Sequence, residues 1–231
     1  MKNIFLSIFL SLGLQHAEAQ EIQGLLAKIK AKLDLVNDYE ASGTMKTNVS
    51  FLKVPVAQVK IFYKKPDKIR IKSNKGVSFV PKGAVSLNLN QLLMTNNYSI
   101  LDAGTEVAAG RTLRVAKLLP NDENSEVVLS TIYIDAERLV IAKSRTTTRE
   151  NGTYELEMSY GKFIQYALPD KIVFSFNTKD YKLPKGITFD FDNGTPAEDP
   201  AKKKNKNKKG RAEIVIRGYI INKGVADEAF K

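Results

Sequence analysis

Acid–base chemistry in this 231-residue chain would fall to carboxylates, and two pairs have a usable spacing: Glu155 with Glu157, and Asp190 with Asp192. At i, i+2 on a strand, each pair shares a face with its carboxyls about 7 Å apart. Glycoside hydrolysis can use such a separation. Both pairs, however, alternate with large apolar residues: Tyr154, Leu156 and Met158 in one case, Phe189 and Phe191 in the other. That alternation makes them the wet side of amphipathic strands. Calcium would need the oxygen-rich loop clusters of known calcium sites, which the sequence lacks.

Other chemistry is excluded by residue type. There is no Cys and no Trp, and the single His is His16. It falls within the opening MKNIFLSIFLSLGLQHAEAQ, where Lys2 precedes an apolar run from Ile4 to Leu14 and small residues stand at Ala17 and Ala19. This is the pattern of a secretory signal peptide over residues 1–19. The expected remainder, residues 20–231, has neither His nor Cys. Ser–His and Cys–His nucleophiles, His- or Cys-bound metals, thiol redox chemistry and disulfides are all ruled out. The expectation is an exported binding protein rather than an enzyme, with no cofactor and no metal. A lipid anchor is not expected, because a bacterial lipoprotein begins its mature chain with Cys. No later stretch approaches the roughly 18 apolar residues of a membrane-spanning helix.

The elements that must carry any site are read from periodicity. Ile22, Leu25, Leu26, Ile29, Leu33 and Val36 follow an i, i+3, i+4, i+7 course, which predicts a helix with one apolar face. After Asn37-Asp38 the period changes to two. Strands are predicted over 39–54 and 56–64, meeting near Pro55, and over 68–72 beyond a Pro66-Asp67 turn. A short helix is predicted over 90–95. Further strands follow over 126–134, 139–149, 153–160, 171–177, 186–192 and 211–221, with Asn151-Gly152 as a two-residue hairpin signal. The predicted class is α+β, mainly β: one domain built on an antiparallel sheet with a leading helix.

The apolar sides of these strands carry the binding reading. Val59, Ile61, Tyr63, Ile69, Ile71, Ile132, Ile134, Tyr154, Leu156, Met158, Tyr160, Phe174 and Phe176 offer more apolar surface than a single helix can cover. They form either a filled core or a cavity that accepts a lipid. At about 0.8 kcal/mol per buried methylene, a 16-carbon chain would gain roughly 12 kcal/mol before entropy and strain.

Charge is uneven. The chain holds 36 Lys and Arg against 25 Asp and Glu, a net +11, and residues 202–211 alone contain seven of those cations. Lys202, Lys203, Lys204, Lys206, Lys208 and Lys209 lie within a predicted loop over 197–211. Two readings stand beside each other: a solvated, self-repelling loop, or transient contact with an anionic membrane surface. Nucleic acid is not an expected partner, since the run has no interleaved aromatic or Arg residues for stacking.

In order and spacing, the chain resembles the LolA-like periplasmic carriers that sort lipoproteins to the outer membrane. The residues that carry the resemblance are the leading amphipathic helix and Tyr63-Lys64-Lys65-Pro66-Asp67-Lys68-Ile69-Arg70, then Ile134-Asp135 and Asn151-Gly152. Tyr160-Gly161-Lys162-Phe163 and Leu168-Pro169-Asp170-Lys171-Ile172 follow, and last comes the terminal N-x-G-V-x-D-x-x-F of Asn222 to Phe230. The resemblance implies an incomplete, curved antiparallel β-barrel lidded by helices, with an apolar cavity for acyl chains. It implies a periplasmic, monomeric carrier whose partners are lipoprotein acyl chains or another lipid, an inner-membrane exporter and an outer-membrane acceptor. An Arg that latches the lid in the family is replaced here by Lys65, the lid-latch candidate. The absence of Trp and the lysine-rich insertion are departures from the family. A sensor of envelope stress on the same fold, reading a lipid or peptide rather than moving it, is the alternative.

Overall fold

The computed structural model describes residues 21–49, 52–53, 56–66, 68–73, 97–150, 152–177 and 209–231. Residues 21–34 form helix α1. The strands are β1 (Asp38–Val49), β2 (Leu52–Lys53), β3 (Ala57–Lys64), β4 (Lys68–Ser73), β5 (Tyr98–Ala108), β6 (Arg111–Pro120), β7 (Val127–Asp135), β8 (Val140–Thr148), β9 (Gly152–Ser159), β10 (Lys171–Asn177) and β11 (Lys209–Ile221). Short 3-10 turns occupy Ile164–Tyr166 and Asp227–Phe230.

All strands join one antiparallel sheet in the order β4-β3-β1-β11-β10-β9-β8-β7-β6-β5, with β2 beside β1. Strands β5 to β11 form a meander, and β11 returns to pair with β1 from Tyr39↔Ile221 to Asn48↔Arg211. A bulge breaks this register at Ser42/Gly43. There the Val215 carbonyl occupies the place a Cβ on Gly43 would need, so only glycine fits.

One face of the sheet is apolar across its width. Register places Ala212, Phe174, Leu156, Ser144, Ile132 and Ala116 in one row across β11 to β6. The next row is Gly210, Phe176, Tyr154, Thr146, Ser130 and Leu118. Against these rows lie Ile22, Leu26, Ile29 and Leu33 of α1, in a core that also takes Tyr98 and Ile100 from β5. Seven strands laid flat would span about 29 Å, whereas a helix is only about 10 Å across. The sheet therefore curls around α1, giving an open, curved barrel with a helix inside its mouth.

The helix and most strands lie where periodicity predicts them. Four features differ. The strand expected over 39–54 is not continuous: β1 ends at Val49, and Leu52–Lys53 turns back to pair with Val49 and Asn48. β5 and β6 were not anticipated: their hairpin turns at Ala109 (φ 49°) and Gly110 (φ 74°), both left-handed, and Ala is a poor turn signal. The hairpin at Asn151-Gly152 exists, but its strands close on Thr148↔Gly152. Its loop is thus three residues rather than two, with Gly152 at φ 69°. Finally, β11 begins at Lys209, so the last three residues of the expected lysine-rich loop, 209–211, are strand. The predicted helix over 90–95, the strand over 186–192 with Asp190 and Asp192, residues 1–19 and the lysines from Lys202 to Lys208 lie outside the described residues.

Candidate functional site: an apolar concave face beneath a pinned helix

The carboxylate pair on β9 is on the wrong face for a site. Glu155 lies 3.7 Å from the Lys143 ammonium and 3.6 Å from the Arg145 guanidinium, and Glu157 is exposed. Among the described residues, no group of three or more His, Cys, Asp or Glu side chains is placed to hold a metal.

The apolar candidates all face the concave side, in distinct clusters. Ile132, Ile134, Tyr154, Leu156, Met158, Phe174 and Phe176 are buried around α1, with Tyr160 packed against them. Tyr160 lies just past β9, and its hydroxyl donates to the Ile141 carbonyl at 2.8 Å. Val59 joins Met45 and Ala57, and Ile61 joins Ala41 and Ile216; neither cluster contains a residue of α1. Ile69 and Ile71 are half-buried beside them. Tyr63 has a different role. It stacks on Tyr39 with ring centroids 5.2 Å apart, and Tyr39 meets Tyr219 edge-on at the same distance. With Val36, Leu168 and Phe163 these rings fill the space below the C-terminal end of α1. Burial pushes the Tyr39 and Tyr219 phenols well above their ordinary range, so both stay neutral.

The concave face is not wholly greasy. Ser130, Ser144 and Thr146 are buried in its rows, and the Ser130 and Thr146 hydroxyls share a hydrogen bond of 2.7 Å. Thr47 Oγ1 is buried and has no hydrogen-bond partner among the described residues.

Polar fastening is concentrated at one end of the helix. The last carbonyls of an α-helix have no partner within it and attract cations. Lys65 Nζ donates to the Asp34 carbonyl at 2.8 Å and lies 3.4 Å from the Asp34 carboxylate. Asn222 Nδ2 donates to the Leu35 carbonyl at 2.8 Å, while its Oδ1 accepts from the Asn37 N–H at 2.7 Å. Asn222 sits at φ 56°, a left-handed conformation that Asn tolerates better than most residues. The Gly224 N–H then bonds Asp38 Oδ1 at 2.9 Å. Lys32 crosses to the Arg138 carbonyl at 2.7 Å and the Ile164 carbonyl at 3.4 Å. Burial, with Arg138 nearby, pulls its pKa down. Two links next to Asp34 and Lys65 complete the network. Lys30 pairs with Asp34 at 2.7 Å, and its hydrogen bond is the main cause that holds that carboxyl below the usual range. Asp227 takes both Lys64 and Lys68, at 3.0 and 3.1 Å.

At the other end, Glu21 reaches Arg114 at 3.5 Å, and Arg114 is more firmly held by Asp102 at 2.6 Å. Periodicity revealed the apolar face and the resemblance pointed to Lys65. Nothing in the sequence marks Lys32, Asp102 or Arg114 as fastening residues. Asn222 stands out only through its place in the terminal motif.

No family model matches the chain, and no curated protein matches it. Solved structures do. A domain described as an outer membrane lipoprotein-sorting protein, from Vibrio parahaemolyticus, superposes with a TM-score of 0.57 at 11% identity, over 90% of this chain and 95% of that one. A LolA superfamily protein from Nitrosomonas europaea gives 0.57 at 8%, over 90% and 96%. A DUF1329 family protein from Desulfovibrio piger gives 0.56 at 11%, over 92% and 97%. With its curved, open antiparallel sheet and helix against the concave face, the chain has the LolA-like fold.

Proposed function

We propose that the protein is a periplasmic, non-enzymatic carrier that shelters the acyl chains of a lipoprotein, or of another lipid, between α1 and the concave face. The observation that carries this reading is the asymmetry of the lid. α1 contributes a buried apolar stripe to the concave core, yet its directional bonds gather at the C-terminal end, around Lys65 and Asn222. Apolar contacts are non-directional and can be exchanged for contacts with an acyl chain. Hydrogen bonds to helix carbonyls hold the pivot in place while that exchange occurs. In this reading Lys65 is the latch, and the cargo lies along Ile132, Ile134, Leu156, Met158, Phe174 and Phe176. The buried Ser130 and Thr146 hydroxyls give an ester or amide near the chain's head a polar partner. Onward transfer follows affinity: cargo moves to whichever acceptor binds it more tightly.

The fold shared with a lipoprotein-sorting domain and a LolA superfamily protein supports the substrate class. The leader over residues 1–19 is taken as removed on export, which the intact mass of the exported protein reads directly. Native mass spectrometry after gentle extraction from cells tests the function. Adducts with the mass of a lipoprotein or phospholipid are expected, together with a rise in melting temperature on adding that lipid. An empty protein whose melting ignores both lipids would overturn it.

A further inference from the structure

The convex side of the β3–β4 hairpin carries its basic residues in directly opposed pairs. Lys60 faces Lys72, Phe62 faces Arg70, and Lys64 faces Lys68. Like charges opposite one another destabilise a sheet, so two Lys–Lys pairs in one hairpin stand against a cost. Nearby carboxylates relieve part of it. Glu40 takes Lys60 at 2.6 Å, Asp227 takes Lys64 and Lys68, and Asp38 stands opposite Lys64. Arg70 and Lys72, on β4, pair with no carboxylate among the described residues. Arg70 is exposed, and the Lys72 ammonium lies 5.9 Å from the centre of the Phe62 ring.

The register continues across the sheet as Arg70, Phe62, Glu40 and Ile220, and Ile220 is 57% exposed. Arg70 and Lys72 thus flank a half-buried aromatic ring, and an exposed aliphatic side chain lies on the same face, three strands from Arg70 and beyond Glu40. This combination suits an anionic bilayer, where charge draws the protein to the headgroups and apolar side chains enter the layer just beneath them. An acidic protein would have to match carboxylates as well as cations on this face, because Glu40 and Asp227 are already placed among the lysines. We infer that the convex face of the β3–β4 hairpin, centred on Phe62, Arg70, Lys72 and Ile220, docks the protein onto the surface of an anionic phospholipid bilayer. This surface lies on the side of the sheet away from the concave face, and it stands or falls independently of what the concave face carries.

Vesicle co-sedimentation of the protein, purified as the cell exports it, tests the inference. Vesicles of phosphatidylcholine with and without phosphatidylglycerol are compared. Binding is expected only to the anionic vesicles, and 0.5 M salt should release it. Arg70→Gln/Lys72→Gln should weaken partitioning about thirtyfold, which corresponds to about 2 kcal/mol. Arg70→Lys/Lys72→Arg should retain it. The Gln pair removes repulsion from the hairpin, so melting is expected to hold or rise, and Ile220→Ser gives a second variant that leaves the charges in place and should bind several-fold more weakly. Each comparison is repeated with Lys202, Lys203, Lys204, Lys206, Lys208 and Lys209 changed to Gln, which separates this surface from the lysine run. If Arg70→Gln/Lys72→Gln binds like the parent in both backgrounds, the charges only guard a sheet edge and the inference fails. It fails equally if the two vesicle types bind alike, or if the face captures an acidic protein while ignoring vesicles.

Discussion

The two ends of α1 are held by different physics. At the C-terminal end, Lys65, Asn222 and Lys32 donate to named carbonyls at 2.7–2.8 Å, above a plug of stacked tyrosines. At the N-terminal end, Ile22 and Leu26 are buried in the sheet's apolar rows, and the described polar contact is a 3.5 Å pair between Glu21 and Arg114. Directional bonds fix a position, whereas apolar contacts fix only an amount of buried surface. In the proposed carrier, one end acts as a pivot and the other as a removable cover. Substitutions at the two ends should separate stability from ligand exchange.

The largest effect belongs to the cover itself. Ile29 is 1% exposed and sits midway along α1. Ile29→Ala should cost about 3 kcal/mol, the transfer term plus the cavity left behind. Chemical denaturation reads this loss. The same variant should raise binding of an apolar dye, because a loosened lid exposes the rows beneath it. A loss below about 1 kcal/mol would mean that the helix is not seated on the sheet as described.

Next is the pivot. Asn222→Ala removes the bonds to Leu35 and Asn37 and places Ala in the left-handed region, an expected loss of about 2 kcal/mol. Asn222→Gly isolates the side chain, since glycine accepts φ 56° without strain. It should lose roughly half as much. If the pivot account holds, hydrogen exchange in both variants should quicken at residues 33–36 more than at 22–26. Uniform quickening would make Asn222 an ordinary contributor to stability rather than the fastening of one end.

Legibility in the sequence divides along the same line. The cover was readable because α1 shows its apolar face at i, i+3 and i+4, and because β9 alternates cleanly. Local periodicity encodes such faces directly. The pivot was not readable from the residues alone. Asn222 and Leu35 are 187 positions apart, and nothing in either neighbourhood announces their bond. Only the resemblance drew attention to Lys65 and to the terminal motif. β5 and β6 escaped for a third reason. Their period is broken at Gly104, where the register shifts between Asp102 and Thr105, and the turn between them uses Ala109 where Asn or Gly is the usual signal. Tyr63 shows the limit of face assignment: it was placed on the correct side, yet its ring belongs to the plug rather than to the surface around α1.

Lys65 carries a smaller share than Asn222. Lys65→Met keeps most of the apolar stem and loses the bond to the Asp34 carbonyl, for an expected cost of about 1 kcal/mol. Lys65→Arg should restore that loss, because a guanidinium can reach the carbonyl and the carboxylate of Asp34 together. A matched gain in lipid off-rate for Lys65→Met, measured by transfer to acceptor vesicles, would mark Lys65 as the latch. An unchanged off-rate would leave it a structural cap.

The smallest effect is on pH. Asp34 and Asp227 both have carboxyls held below the usual range, Asp34 chiefly by its hydrogen bond from Lys30 and Asp227 chiefly by its bond from Lys64. A depressed carboxyl binds fewer protons in the folded protein than in the unfolded chain. The stability it contributes is fully present above the unfolded value near 3.8 and is lost as pH falls through the lower folded value. Both groups are solvent-facing, so the effect is modest and salt should weaken it further. Denaturation curves from pH 6 to 3 should therefore show a shallower acid decline for Asp34→Asn/Asp227→Asn than for the parent. The difference should shrink in 0.5 M salt. The Lys65 and Asn222 bonds end on backbone carbonyls, which do not titrate in this range, so the pivot should outlast the loss of the Asp34 carboxylate. Acid declines of equal slope in the parent and the double variant would mean that neither carboxylate contributes to stability.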